Sequence, residues 1–303
     1  MSAFQFRTDE AVRHAVHRIA RHEIGAMLSE LKAGPRGRTA VHEARRSSKR
    51  LRALVRLLRD SMGEKRYRRE NTMLRDAVRP LAPVRDAEAI VHILDALTEH
   101  FAGEVRSRVF DHLRKALQMR LRTVRTAPSA RAAMRRSAAL GARVRSRLAQ
   151  VTIHDGGWRA LGPGLFRIYA RARAAKRRAD DDPSIEHLHE WRKRSKDLRY
   201  ALDLLEPTWP SVVKALADEV HALTDRLGDD QDLSRLERVV QDEPASCGTP
   251  EDRAALLGLI DVRRDELQAE ARSLGERLYR EKPKAFIIRV RGYWKAWGVQ
   301  RGR

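Results

Sequence analysis

Two short stretches hold the residues best suited to chemistry. "HEARRSSKRLR" at 42–52 and "HEWRKRSKDLR" at 189–199 each set a His, an Arg, a Lys and an Arg at spacings of three, four and three. The first set is His42, Arg45, Lys49 and Arg52; the second is His189, Arg192, Lys196 and Arg199. On a helix this spacing places all four on one face. Arg56 and Arg59 prolong the first row, whereas Asp203 ends the second. Arg presents a planar fork that matches phosphate, Lys a mobile point charge, and His a hydrogen-bond donor. Neither row contains Asn, Gln or an aromatic side chain, the types that read or stack on bases. The rows therefore suit a featureless phosphate chain better than a base sequence.

The helices that carry these rows must also hold them in place. One residue before each cation lies an apolar seam: Val41, Ala44, Ser48, Leu51, Val55 and Leu58, then Leu188, Trp191, Ser195, Leu198, Leu202 and Leu205. Each residue turns a helix by about 100°, so the cations flank the packed face instead of opposing it as in an ordinary surface helix. They are expected at the wall of a groove. Crowding like charges there costs stability, a cost that a bound anion offsets. The alternative is that neighbouring acids such as Glu43, Glu190, Asp86 and Asp232 neutralise the rows.

The two stretches are copies. At an offset of 147, residues 42–58 and 189–205 share His, Glu, Arg, Ser, Lys, Leu, Arg, Leu and Leu. Further on, "PLAPVRDAEAI" corresponds to "RLGDDQDLSRL", with Asp86 and Asp232 in register after a one-residue gap. An internal duplication follows, with repeat one at about 1–150, a Gly-rich linker at about 151–164 and repeat two at about 165–303. Each repeat is expected to hold about six helices, and matching stripes pack the halves into one pseudo-two-fold domain. Apolar spacing and Pro/Gly punctuation predict helices from Thr8 to the "AGPRGR" segment and over 40–61, 65–81, Pro83 to about 100, 103–125 and 130–150. In the second half they predict helices over 165–180, 184–206, 211–227, 231–242, 251–281 and 284–297. In "LGDDQD" the Gly reads as a helix end and the Asp residues as a cap on the next helix. No segment alternates with period two, so the fold class is all-α.

Composition agrees. Hydrophobic residues make up 42% and aromatics only 5%, a poor supply of strand formers. With 63 Lys and Arg against 41 Asp and Glu, the chain carries +22, which predicts a polyanionic partner. Cys247 is the one cysteine, excluding an internal disulfide and a Cys-based zinc site. No secretory leader is evident at residues 1–20, and no apolar run approaches the 18 residues of a membrane span. A cytoplasmic protein without cofactor or metal is the expectation.

The paired His-x-x-Arg-x-x-x-Lys-x-x-Arg helices resemble those of the CHAD domain, the conserved histidine α-helical domain. "HEWRKRSKDLRYALDLL", "LGDDQDLSRL", "LFRIYARARAAKRR" and "EKPKAFIIRVRGYW" carry the same resemblance across nearly the whole chain. It implies a helical bundle of two related halves, a basic central channel that binds inorganic polyphosphate, and association with polyphosphate granules. Some relatives are fused to a triphosphate-tunnel domain; no Glu-x-Glu-x-Lys start for one occurs here, so a stand-alone CHAD protein is expected. Carried over to this chain, the resemblance implies polyphosphate contacts from His42, Arg45, Lys49, Arg52 and Arg56, and from His189, Arg192, Lys193, Lys196 and Arg199. The helices before each motif add Arg167, Arg171 and Arg173, with Arg18 and Arg21 in the first half. Asp86 and Asp232 are expected to cap helices and orient neighbouring Arg side chains. One departure is Gln231, where many relatives have His.

Two other function classes fit parts of the pattern. A nucleic-acid binder would exploit the +22 charge non-specifically through counterion release. A metal-dependent polyphosphate-processing enzyme would need carboxylates to hold its metal; Asp229, Asp230 and Asp232 offer them once, but repeat one has only Asp86. A helical scaffold, its stripes serving as interface charges, is a further alternative. Binding without catalysis is the expectation.

Overall fold

The computed structural model describes residues 2–8, 10–33, 40–105 and 108–299. Its elements are α1 (Val12–Ala33), α2 (Ala40–Leu57), the short α3 (Arg59–Met62), α4 (Glu64–Val78), α5 (Ala82–His100), α6 (Arg108–Thr126) and α7 (Pro128–Leu148). After the Gly-rich segment come α8 (Gly157–Asp181), α9 (Ile185–Leu205), α10 (Pro210–Asp242), α11 (Pro250–Leu278) and α12 (Pro283–Val299). No β-strand occurs among the described residues, so the all-α class holds. Among the described residues, no helix is long and apolar enough to cross a membrane.

Local chemistry explains most helix starts. Proline opens α7, α10, α11 and α12, where its missing N–H and fixed φ cost nothing. Ser184 caps α9 by accepting from the His187 amide. Thr249 and Asp252 form a reciprocal capping box at α11.

Two elements depart from expectation. Helix α8 begins at Gly157, so half of the expected linker is helical, and Pro163 lies inside the helix. The helix persists because its backbone is pressed onto the end of α2: a Cβ on Gly164 would lie 1.8 Å from the Leu57 carbonyl oxygen. Helix α10 runs unbroken through "LGDDQD", where the sequence reads as an end and a cap. Helix α1 begins at Val12, four residues after the expected start at Thr8; Asp9 and residues 34–39 lie outside the described residues.

The largest apolar core takes residues from both sides of the 151–164 segment. Leu51, Leu54 and Leu57 of α2 join Leu161 and Leu165 of α8 and Trp191, Leu198 and Leu202 of α9. A second core joins Ile93, Leu94 and Leu97 of α5 to α6, to the far half of α10 (Leu233, Leu236, Val240) and to α11. These two cores fix the site, because α2 packs on α9 and α5 packs on α10.

Candidate cationic site

The apolar seam seats both motif helices. Trp191 is fully buried, and the two seam serines are satisfied by hydrogen bonds. Ser48 Oγ donates to the Leu74 carbonyl at 2.7 Å, and Ser195 Oγ lies 2.7 Å from the Tyr279 hydroxyl. With the seam committed to packing, the residue one step further round each helix reaches the space where α2 and α9 meet.

There the two copies of the motif act on each other. Burial lowers the Lys49 amine to about 8, and the charges of Arg45, Arg192, Arg85 and Arg199 push the same way. Burial lowers Lys196 to about 6; Arg192, Lys49 and Arg199 add to the shift and Asp225 opposes it. Arg45 falls to about 10 through burial, with Arg85 and Arg235 adding and Asp86 opposing. Arg192 is likewise lowered by burial, held up in part by Asp232 and Asp229. Seven cations from four helices thus form one electrostatic group: Arg45 and Lys49 of α2, Arg85 of α5, Arg192, Lys196 and Arg199 of α9, and Arg235 of α10.

Carboxylates neutralise only part of it. Asp86 pairs with Arg85 and Asp232 with Arg235, each at 2.8 Å. The side chains of Arg45, Lys49 and Lys196 make no hydrogen bond or ion pair among the described residues, and Arg199 only lies over the Tyr200 ring at 5.5 Å. Arg235 Nη1 donates to Asp232, whereas Asp86 makes only the ion pair with Arg85 among the described residues. Neither caps a helix: Asp232 is inside α10, and Asp86 follows the first turn of α5.

Arg192 explains the unbroken α10. Its Nε donates to the Thr224 carbonyl at 3.4 Å, so the guanidinium lies along the α10 backbone. A Cβ on Gly228 would come within 2.7 Å of Arg192 Nη2. Gly228 is therefore an opening for Arg192, not a helix end. Arg192 Nη1 also donates to Gln231 Oε1 at 3.1 Å, which turns the Gln231 amide nitrogen towards His189 Nδ1 at 2.6 Å. Arg can only donate, so this amide orientation is pinned; Nδ1 accepts and the ring proton sits on Nε2. His189 and His42 are both exposed. His42 is lowered by burial and by Lys49, Arg46 and Arg45, against Glu43.

The remaining expected residues lie elsewhere. Arg52 donates to Asn71 at 3.1 Å, and burial lowers it to about 10. Arg56 pairs with the buried Asp197 at 2.6 Å, Arg167 with Asp60 at 2.5 Å, and Lys193 with Glu190 at 3.1 Å on its own helix. Arg173 donates to the Tyr279 carbonyl at 2.9 Å, fastening α8 to the end of α11. Arg18 is held by Glu10 and the carbonyls of Ala3 and Gln5, fastening the N-terminal segment to α1. Arg21 lines a groove of about 700 Å³ between α1 and α7, apart from the cluster. Arg171 lies in a smaller pocket with Arg167.

Arg85, Arg235 and Gln231 are the site residues the motif rows miss. Arg85 and Gln231 occupy the same position in the two copies, directly before Asp86 and Asp232. That register was the available signal. Among the described residues, no group of three or more His, Cys, Asp or Glu side chains could hold a metal ion.

An all-helical chain that brings two such motif helices together has the architecture of one class. The CHAD domain family profile matches residues 10–241, and the chain belongs to that family. Two curated proteins of Mycobacterium tuberculosis are similar to it. They are the uncharacterized protein Rv2226 of strain ATCC 25618 / H37Rv, 30% identical over 260 residues, and the uncharacterized protein MT2285 of strain CDC 1551 / Oshkosh, 29% identical over 256. Each match covers 81% of this chain and 48% of the relative, so the chain spans about half the length of the curated relatives it matches. The crystal structure of the CHAD domain from the plant Ricinus communis aligns with a TM-score of 0.55 at 16% identity, covering 97% of this chain and 95% of that one. That likeness establishes the shared fold.

Proposed function

We propose that this protein binds inorganic polyphosphate at the α2–α9 cluster, as one basic channel whose two walls are the duplicated motifs, and that it does so without turning the polymer over. One observation carries the reading. Arg45, Lys49 and Lys196 converge from both motif helices with no hydrogen bond or ion pair among the described residues, Arg199 meets only the Tyr200 ring, and the two lysines are held far below their ordinary range. A cluster left unneutralised in this way is stabilised by an anion that can sit against several cations at once, which is the property of a phosphate chain. Arg85 and Arg235 lengthen the cationic surface along α5 and α10. His189, with its Nε2 proton turned away from Gln231, can donate to a phosphate oxygen at the edge. Binding of this kind would place the protein on polyphosphate granules.

The test is the double charge reversal Lys49→Glu with Lys196→Glu. Affinity for long-chain polyphosphate falls by at least about 100-fold, since two attractive contacts become repulsive, while the helical circular dichroism stays unchanged. Unchanged affinity in a folded variant removes the cluster as the site. Release of phosphate during incubation with Mg²⁺ or Mn²⁺ would replace binding by catalysis.

A further inference from the structure

The far end of the α2 row holds a second group of cations that the cluster does not use. Arg56 of α2, Arg59 of α3, Arg167 and Arg171 of α8 and Arg194 of α9 line a small pocket with Tyr67, Ile168 and Asp197. Five guanidinium groups thus share one lining carboxylate. Asp197 is already divided between Arg56 at 2.6 Å and Arg194 at 3.5 Å. Glu64, outside the lining, is divided between Arg59 at 2.6 Å and Arg68 at 2.5 Å. Asp60 holds one terminal nitrogen of Arg167, while the other, Nη1, is buried with no hydrogen-bond partner among the described residues. Arg171 makes no hydrogen bond or ion pair among the described residues. Its charge is disfavoured by burial first, then by Arg194 and Arg59, with Arg167 adding less.

We propose that this pocket is a second oxyanion site, separate from the α2–α9 cluster and fitted to a single phosphate group, either free orthophosphate or the end of a phosphate chain. The cavity of about 20 Å³ takes one oxygen-sized atom. A tetrahedral anion directs one oxygen into the cavity and rests the others at the mouth, where Arg171 is exposed. Such an anion gives Arg171 the counter-charge it lacks and adds an acceptor to a lining of five guanidinium groups. Lys49 and Lys196 do not line the pocket, so the site stands or falls independently of polyphosphate binding at the cluster.

The experiment is calorimetric titration of orthophosphate and, separately, tripolyphosphate into the full chain at low ionic strength. The proteins are the unmodified chain, Arg171→Glu, Arg171→Gln and the Lys49→Glu/Lys196→Glu variant. One anion equivalent remains bound to the Lys49→Glu/Lys196→Glu variant, and Arg171→Glu weakens that phase by about tenfold or more. Arg171→Gln, which removes the charge without reversing it, gives a smaller loss in the same phase and guards against misfolding. Retention of orthophosphate identifies a free-phosphate site; retention of tripolyphosphate alone identifies a chain-end site. The proposal is overturned if the Lys49→Glu/Lys196→Glu variant binds neither anion, or if both Arg171 variants bind as the unmodified chain does.

Discussion

Polyphosphate binding is expected to take up protons, and the amount follows from two lysines. In the free protein Lys196 titrates near 6 and Lys49 near 8, both lowered by burial and by the surrounding Arg side chains. Lys196 faces Arg192, Lys49 and Arg199 with Asp225 as its opposing charge, and Lys49 faces Arg45, Arg192, Arg85 and Arg199. A phosphate chain favours the charged amines, so binding raises both values and draws protons from solvent; affinity must therefore rise as pH falls. At pH 8 Lys196 is charged in about one molecule in 100 and Lys49 in about half; at pH 6 the fractions are about half and nearly all. If both amines are charged when bound, affinity is tighter by about 100-fold at pH 6 than at pH 8. This is a ceiling, because water entering the cluster weakens the shifts. At pH 7 the same values give uptake of about one proton per site, nearly all of it at Lys196. Calorimetry in two buffers of different ionisation enthalpy counts that proton directly, using long chains so that terminal phosphates contribute little. Lys196→Arg keeps the charge at every pH and should flatten the profile while preserving affinity at pH 6. An unmodified chain with no proton uptake, or a Lys196→Arg variant with the original slope, would refute the reasoning.

The free protein should itself become more stable as pH rises from about 6 towards 10. Both lysines lie below their unfolded value, so their penalty is full below about 6 and fades as the unfolded chain also loses its protons; thermal unfolding across this range, with and without polyphosphate, checks it. Gly228→Ala should displace Arg192 from Thr224 and Gln231, weakening polyphosphate binding several-fold with little loss of melting temperature, because the flexible end of a side chain is what must move and Ala favours helix. Gly164→Ala meets backbone at the Leu57 carbonyl instead, and should cost about 1–3 kcal/mol or more in denaturant unfolding. Gln231→Ala should release His189 from its fixed tautomer, seen as a change in its ring nitrogen chemical shifts, and lower affinity by a few-fold.

Most helices and the key pairing were legible because both rest on local spacing. The seam of Val41 to Leu58 and its copy from Leu188 to Leu205 repeat with the helical period, and the cationic rows follow one step behind. What was hidden depends on contacts distant in sequence. Gly228 looks like a helix end until Arg192, 36 residues earlier, is placed over it. Pro163 and its flanking glycines look like a linker until Gly164 meets Leu57. Arg18 and Arg173 carry the right charge for a site, but backbone carbonyls at Ala3, Gln5 and Tyr279 engage them, and nothing in local composition announces a carbonyl partner. Arg85 and Arg235 lie outside both motif helices, brought to the cluster only when α5 and α10 share a core.

The central claim is that the cluster selects a phosphate chain and does not merely collect polyanions. A chain with +22 attracts duplex DNA at low salt whatever its true ligand, because counterion release is blind to the site. The direct measurement is competition at physiological salt between labelled long-chain polyphosphate and unlabelled duplex DNA at equal phosphate concentration. Polyphosphate should stay bound to the unmodified chain, and the Lys49→Glu/Lys196→Glu variant should lose that preference. Displacement of polyphosphate by DNA from the unmodified chain would contradict the account.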